Sequence, residues 1–274
     1  MTIEELLCYG KQFVHSDHAK ILLAELLDKN VLELFNCLNE EVSEEKVQLY
    51  KKEVEALSNN KPLQYVLGNV NFFGNKFTVN ENVLIPRFET EELVDYTIKY
   101  AKNFFNYPID IIDLGCGSGV IGLTLEKKLV TNSVDLVDIS LDALEVAKIN
   151  RDTLGLQANL IHSDMWNNIY KKYDIIISNP PYIKTTEEIE DIVRDNEPHL
   201  ALYAGEDGLD CYKKILKDIN IHMKDKCLVA FEIGMTQAED IKKIIYETLS
   251  NVRVEVKKDL SGKDRMLFIF KNIE

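Results

Sequence analysis

Positive charge is what this sequence has least of. Its 32 Lys and Arg face 46 Asp and Glu, leaving a net charge of −14. A protein that neutralises phosphates normally carries a basic stripe, so naked DNA is a poor candidate partner. Acidity of this kind otherwise serves solubility. Cysteine is sparse and unpaired. Cys8, Cys37, Cys116, Cys211 and Cys227 include no C-x-x-C, which argues against structural zinc and against a disulfide framework. A reducing cytoplasm is the expected setting. No apolar run approaches the roughly 18 residues of a membrane span. The opening MTIEELLCYG lacks a basic region followed by an apolar stretch, so no secretory signal is expected. His15 and His18 stand three apart with no third ligand nearby, and no metal is expected.

At 274 residues the chain can bury a full core. Residues 1–60 carry helical spacing: Ile3, Leu6, Leu7, Gly10 and Val14 share a face, and AKILLAELLDKNVLELF and SEEKVQLYKKEVEAL repeat the pattern after a cap at Ser43. Residues 1–70 hold 7 Lys and Arg against 12 Asp and Glu, so this is no basic arm. It has no catalytic signature and reads as a small helical bundle, either a partner-recognition module or a stabilising cap. Residues 61–85, rich in Asn, Gly, aromatic and β-branched residues, read as a hairpin linker. Beyond them, continuously apolar strands alternate with helices, which means a parallel sheet covered on both faces. One helix, SLDALEVAKINRDTLG, is opened by Ser140 as its cap and closed by Gly155.

Within that alternation, IDIIDLGCGSGVIGLTL is strand, glycine-rich turn and helix. Gly115, Gly117 and Gly119 permit a tight turn and close approach of backbone to a ligand. Gly117, Gly119 and Gly122 also satisfy G-x-G-x-x-G, which keeps a nicotinamide enzyme in play. Asp138 ends the next strand, where a carboxylate can take both ribose hydroxyls of either cofactor. Asp113, just before the loop, places negative charge where a cationic ligand with a free amino group fits better than a pyrophosphate. S-adenosylmethionine has that amino group and a sulfonium. Asp164 is expected to accept from the adenine amino group, with Met165 offering a polarisable surface to the ring. Neither the histidines nor a Tyr-x-x-x-Lys pair marks a hydride-transfer site.

The stretch IIISNPPYIK ends a buried strand abruptly. In such a sheet, ligands lie beyond the carboxyl ends of the strands at the switch point, so Asn179 should land beside the glycine loop. Proline fixes its own φ and pushes the preceding residue into an extended conformation. Asn179, Pro180 and Pro181 therefore form a stiff ledge. A planar NH2 group can donate one proton to the Asn179 side-chain oxygen and the other to the Pro180 carbonyl, with Tyr182 as a flat face for the substrate. An amide nitrogen is a poor nucleophile because its lone pair is delocalised, and holding both N–H groups directs that pair at the methyl donor.

With these motifs assembled, the chain resembles the HemK/PrmC-type methyltransferases, which modify the glutamine of the Gly-Gly-Gln loop in peptide-chain release factors. PLQYVLGNVNFFG, LIPRFETEELV, DLGCGSGVIGL, LVDIS, SNPPYI, NEPHLALYAGEDGLDCYKKI, FEIGMTQ and DLSGKDRM carry the resemblance over nearly the whole chain. It implies an α/β fold: a doubly wound, seven-stranded, Rossmann-like S-adenosylmethionine-dependent methyltransferase domain over 86–274, with release-factor recognition in the 1–60 bundle. It implies that Gly115, Cys116, Gly117, Ser118, Gly119, Asp138, Asp164, Met165 and Asn179 hold the cofactor, and that Asn179, Pro180, Pro181 and Tyr182 hold the glutamine amide. It further implies a cytoplasmic monomer acting on a release factor, without direct nucleic-acid or membrane contact. Three positions depart from the pattern. Met165 stands where an aromatic is common, so adenine stacking there is expected to be weaker or shared with Trp166. Phe88 replaces a second proline after Arg87, and Ala204 replaces a glycine. The rival reading is an adenine-N6 methyltransferase acting on DNA or RNA, which uses the same ledge but wants a basic cleft and a target-recognition domain.

Overall fold

The computed structural model describes residues 1–273. It divides into two compact units, residues 1–69 with 190–196, and residues 70–189 with 197 onward. The first contains α1 (Ile3–Gly10), α2 (Ser16–Leu26), α3 (Val31–Asn36), α4 (Glu44–Ser58) and α5 (Leu63–Leu67). Ile3, Leu6, Leu7 and Gly10 are buried as their spacing predicts, joining Leu22, Leu23, Val47 and Tyr50 in one apolar core. Thr2 caps α1 through a reciprocal pair with Glu5, whereas Ser43 precedes α4 without making a side-chain cap bond. The linker expected over 61–85 is shorter as a hairpin: Leu63–Leu67 is helical and ends at Gly68, whose φ is 70°. Only β1 (Asn69–Phe72) and β2 (Asn75–Thr78) form the two-stranded sheet.

The second unit continues with α6 (Phe88–Phe104), β3 (Ile109–Leu114), α7 (Val120–Lys128), β4 (Thr131–Asp138), α8 (Leu141–Leu154), β5 (Asn159–His162) and β6 (Tyr173–Ser178). After α9 (Asp191–Asn196) of the first unit come α10 (Asp210–His222), β7 (Met223–Glu232), α11 (Ala238–Thr248), β8 (Val252–Lys258) and β9 (Asp264–Lys271). The seven-stranded sheet runs β5-β4-β3-β6-β7-β9-β8. Its first five strands are parallel, and β9 is antiparallel to both neighbours. Alternation along β3 supplies two cores: Ile109 and Ile111 pack with α6, α7 and α8, while Ile112 and Leu114 pack with α10 and α11. Ser140 Oγ accepts from the Ala143 N–H at 3.2 Å, and Gly155 closes α8 at φ 67°. The chain order reverses between β3 and β6, so the crevice between them opens at their carboxyl ends.

The opposite end of these two strands is closed by charge. Asp110 accepts from Lys171 Nζ at 2.8 Å and Lys224 Nζ at 2.6 Å, and also from Asn132 and Ser133. Lys224 also reaches Asp174 at 2.7 Å. Burial works to raise the pKa of Asp110, but the bonds from Lys171, Lys224, Asn132 and Ser133 outweigh it and hold the carboxyl well below 3.8. A depressed folded-state pKa means this stabilisation is present above the ordinary carboxylate range. It is lost as pH falls through the folded value. Asp110→Asn should therefore cost about 2 kcal/mol in urea unfolding at pH 7, with the gap to wild type closing in acid. Equal stability at pH 7 would show that the cluster contributes nothing.

Candidate active site

The glycine loop is shaped from both sides. The Gly115 and Cys116 N–H groups both donate to the Val137 carbonyl, at 2.8 and 2.9 Å. Gly115, Gly117 and Gly119 adopt φ of 70°, 53° and 79°, a region in which a side chain would crowd the backbone. Asp138 fastens the turn: Oδ2 accepts from the Gly117 N–H and Oδ1 from the Ser140 N–H, each at 2.9 Å. Burial raises its pKa against the opposing pull of these amides. The carboxylate on which ribose recognition was expected thus also shapes the loop.

Asp113 does something other than its expected role. It is 0% exposed and is not among the residues lining the cavity described below. Its Oδ2 accepts from the Gly122 N–H at 2.9 Å, and Oδ1 has no hydrogen-bond partner. Burial pushes its pKa up to about 7. A Cβ on Gly122 would come within 2.2 Å of Leu136 and 3.2 Å of Asp113. The third glycine therefore brings α7 hard against the sheet, and Asp113 braces that helix rather than facing a ligand.

Beyond the loop lies a cavity of about 210 Å³. Gly115, Cys116, Gly117, Ser118 and Asp138 line it, as do Asp164, Met165, Asn179 and Pro181. Three residues expected at the site do not. Gly119 looks toward Leu123, Leu136 and Ala147, and Pro180 is buried. Tyr182 packs against the core on the α10 and α11 side. Its hydroxyl accepts from Arg265 at 3.4 Å and its carbonyl from Gln237 at 3.0 Å, and burial pushes the phenol up to about 12. Tyr182 braces the ledge instead of walling the cavity.

Asp164 is paired with Lys214 at 3.1 Å, and Lys214 also borders the cavity. Met165 holds a φ of 49°. Trp166 cannot share adenine stacking: it is 7% exposed, donates to the Ile215 carbonyl at 2.8 Å and stacks on His222. The other two departures are benign. Phe88 is the first residue of α6, a position that favours proline but where its missing N–H has no intrahelical partner to lose, so another residue starts the helix without breaking a bond. Ala204 is not among the positive-φ residues, so glycine is not required there.

Ser178 anchors the ledge by donating to the Leu114 carbonyl at 2.6 Å, across the switch point. Asn179 Nδ2 donates to Thr90 Oγ1 at 3.3 Å, and Thr90 Oγ1 donates to Glu232 Oε2 at 2.7 Å. Neither Thr90 nor Glu232 was singled out from sequence, because a threonine in a first helical turn reads as a cap and Glu232 merely ends a strand. Arg87 similarly meets Glu197 at 2.6 Å, and Glu197 also takes the Ile85 N–H at 3.1 Å. Gln237 ties Tyr182 to Gly208, and Arg265 ties it to Ile233 and Asp259. The scattered signatures are thus tied together by side-chain bonds: PRFETE to SNPPY and FEIGMTQ through Thr90, PRFETE to NEPHL through Arg87, and SNPPY to FEIGMTQ and DLSGKDRM through Tyr182.

Comparison with known proteins finds matches to both parts of the chain. Residues 97–201 match the family model described as methyltransferase small domain, and residues 15–68 the one described as PrmC N-terminal domain. A release factor glutamine methyltransferase of Bacillus cereus is 35% identical over 279 residues, spanning 98% of this chain and 99% of that protein. One from Bacillus subtilis is 40% identical over 241 residues, spanning 85% of this chain and 84% of its own length. The crystal structure of ribosomal protein L11 methylase from Lactobacillus delbrueckii subsp. bulgaricus matches with a TM-score of 0.52 at 18% identity. That match covers 68% of this chain and 81% of that one, and speaks for the fold alone.

Proposed function

This chain belongs to the release factor glutamine methyltransferase family, and from that premise we propose that it methylates the side-chain amide nitrogen of the glutamine in the Gly-Gly-Gln loop of a peptide-chain release factor. One observation carries the chemical reading: Asn179 borders the cavity beside the glycine loop while its NH2 group is engaged by Thr90. That leaves the amide oxygen to accept from a substrate.

The residues present fit S-adenosylmethionine. Asp138 has lone pairs beyond the two N–H groups it accepts, enough for ribose hydroxyls. Asp164 can accept from the adenine amino group, with Met165 and Leu200 as apolar neighbours. The backbone of Gly115 to Ser118 would border the methionine end. When bound, the cofactor supplies a sulfonium methyl open to attack by a nitrogen lone pair. The chain's own residues prepare the amide: the Asn179 oxygen takes one N–H and the other falls to the ledge backbone at the Pro180 carbonyl, turning the lone pair toward the donor. The Pro180 ring is buried, but that carbonyl lies between two residues that border the cavity. The nitrogen becomes acidic as it is alkylated and sheds its proton to solvent, so neither a metal nor a strong base is needed.

The adenine-N6 reading shares this ledge, but the net charge of −14 and the names of the relatives weigh against it. The deciding experiment is a mass measurement after incubation with S-adenosylmethionine and a purified release factor. One added methyl on the Gly-Gly-Gln peptide supports the reading; methylation of an adenine-containing oligonucleotide instead would replace it.

Recognition falls to the helical unit, which matches the PrmC N-terminal domain model. Phe13, Leu32 and Phe35 are 52%, 77% and 51% exposed there, and we take them as the apolar side chains that meet the partner. Leu32→Glu with Phe35→Glu should lower kcat/KM on intact release factor about tenfold and leave turnover of a short Gly-Gly-Gln peptide unchanged. Equal losses on both substrates would remove the unit from recognition. The five cysteines are all free, which suits work in a reducing cytoplasm, and we expect a monomer. No described helix is long and apolar enough to cross a membrane.

A further inference from the structure

Two buried side chains stand beside the ledge, and one of them, Thr90, borders the cavity and engages the Asn179 NH2. Thr90, in the first turn of α6, is 2% exposed, and Glu232, at the end of β7, is 1% exposed. Glu232 receives the Thr90 hydroxyl proton at 2.7 Å, and Thr90 receives an Asn179 N–H at 3.3 Å. The direction of this chain follows from chemistry. An ionised carboxylate only accepts, so the threonine must spend its single proton on Glu232. Its remaining lone pairs can then face only a donor, which forces the Asn179 NH2 inward. An asparagine side chain otherwise has two nearly isosteric orientations, and one of them would present N–H groups to a substrate that itself offers N–H groups.

We propose that Thr90 and Glu232 are positioning residues that fix the polarity of the Asn179 amide, so that its oxygen, and not its nitrogen, meets the glutamine NH2. The inference rests on the reading that Asn179 holds that amide. It makes the carboxylate of Glu232 the source of the order, two hydrogen bonds away from Asn179 and three from the substrate. Protonated Glu232 could donate to Thr90, freeing the threonine proton for the Asn179 oxygen and allowing the amide to turn over.

The groups around Glu232 bear on its ionisation. Burial pushes its pKa up to about 7, opposed by the Thr90 bond and by Arg265 and Arg87, and aided by Glu89. Tyr182 lies close enough for the Glu232 charge to raise its own pKa. Tyr212 donates its hydroxyl to the Glu232 backbone carbonyl at 2.7 Å. With the carboxyl poised there, kcat should fall as pH drops through about 7, because the protonated form is the disordering one.

The test compares Thr90→Val, Thr90→Ser, Glu232→Gln and Asn179→Ala in the full chain, by steady-state kinetics, S-adenosylmethionine calorimetry and a pH profile. Thr90→Val should lower kcat about tenfold or more, with both KM values and the calorimetric affinity within about threefold of wild type. Thr90→Ser, which restores the hydroxyl, should recover kcat to within about threefold. Glu232→Gln, whose amide can donate or accept, should be slow at every pH and lack the acid limb. Wild-type kcat in Thr90→Val, a serine variant no better than valine, or an acid limb that survives Glu232→Gln would each overturn the proposal. Should Thr90→Val fail to bind cofactor, the serine and glutamine variants decide. Asn179→Ala separates the two layers. If it is inactive while Thr90→Val is not, only the polarity argument fails; if both keep wild-type turnover, the ledge itself is wrong.

Discussion

Asn179→Ala should lower methyl transfer by about 100-fold or more while S-adenosylmethionine affinity stays within about an order of magnitude, since losing one preorganised polar group costs roughly 3 kcal/mol in the transition state. The asymmetry follows from the walls of the cavity. Asp138, Asp164 and the Gly115–Ser118 backbone remain in place without the Asn179 side chain, so most cofactor contacts survive. What disappears is an acceptor that orients the nitrogen lone pair, an interaction that matters most as the new bond forms. Asn179→Asp should be impaired as well. A carboxylate there has no N–H for Thr90, whose own proton already goes to Glu232, so two acceptors would face each other across the hydroxyl. Stopped-flow turnover of the alanine variant at the wild-type rate would remove Asn179 from the mechanism.

The second large effect is expected at Asp138. Its carboxylate is shared between the Gly117 and Ser140 N–H groups and, on the reading above, the ribose hydroxyls of the cofactor. Charge-assisted hydrogen bonds contribute about 1.5–3 kcal/mol each. Asp138→Ala should accordingly weaken S-adenosylmethionine binding by about 100-fold or more, and the damage should extend to the fold. Without its acceptor, the Gly117 N–H is left to a mobile turn, and the variant should also lose about 2 kcal/mol of stability. Asp138→Asn, which keeps one acceptor oxygen, should fall between. Calorimetry giving unchanged affinity for Asp138→Ala would strike the residue from the cofactor site, whatever happened to the melting temperature.

The parts of this protein that could be read in advance are those in which the signal is local. IDIIDL, the glycine turn and the helix after it are adjacent in the chain, and the need of glycine for positive φ does not depend on distant partners. The Ser140 cap and Gly155 stop of α8 are likewise settled within a few residues. Even the meeting of Asn179 with the glycine loop follows from general rules for parallel sheets, because strand order and right-handed crossovers leave few alternatives.

What could not be read depends on the direction in which side chains point once elements pack. Asp113 and Asp138 share one face of the sheet, yet Asp113 pairs in register with Leu136 and lies beneath α7, whereas Asp138, two residues further on, ends its strand on the cavity wall. Met165 and Trp166 are neighbours, but only the first lines the cavity; the indole N–H is taken by Ile215. Residues 63–67 coil into a helix although their composition suits a strand, because Val66 and Leu67 pack on the core of the helical unit and tertiary contacts outweigh a weak local preference.

By itself, then, the sequence determined the α/β layering, the position of the cofactor loop and the rigidity of the Asn-Pro-Pro ledge, since each rests on backbone geometry within a short segment. Tertiary structure decided how the amide of that ledge is aimed. Thr90 lies 89 residues before Asn179 and Glu232 lies 142 after Thr90. The orientation of an asparagine amide is set by hydrogen-bond partners rather than by its own backbone, and those partners are assembled only when α6, β6 and β7 pack together.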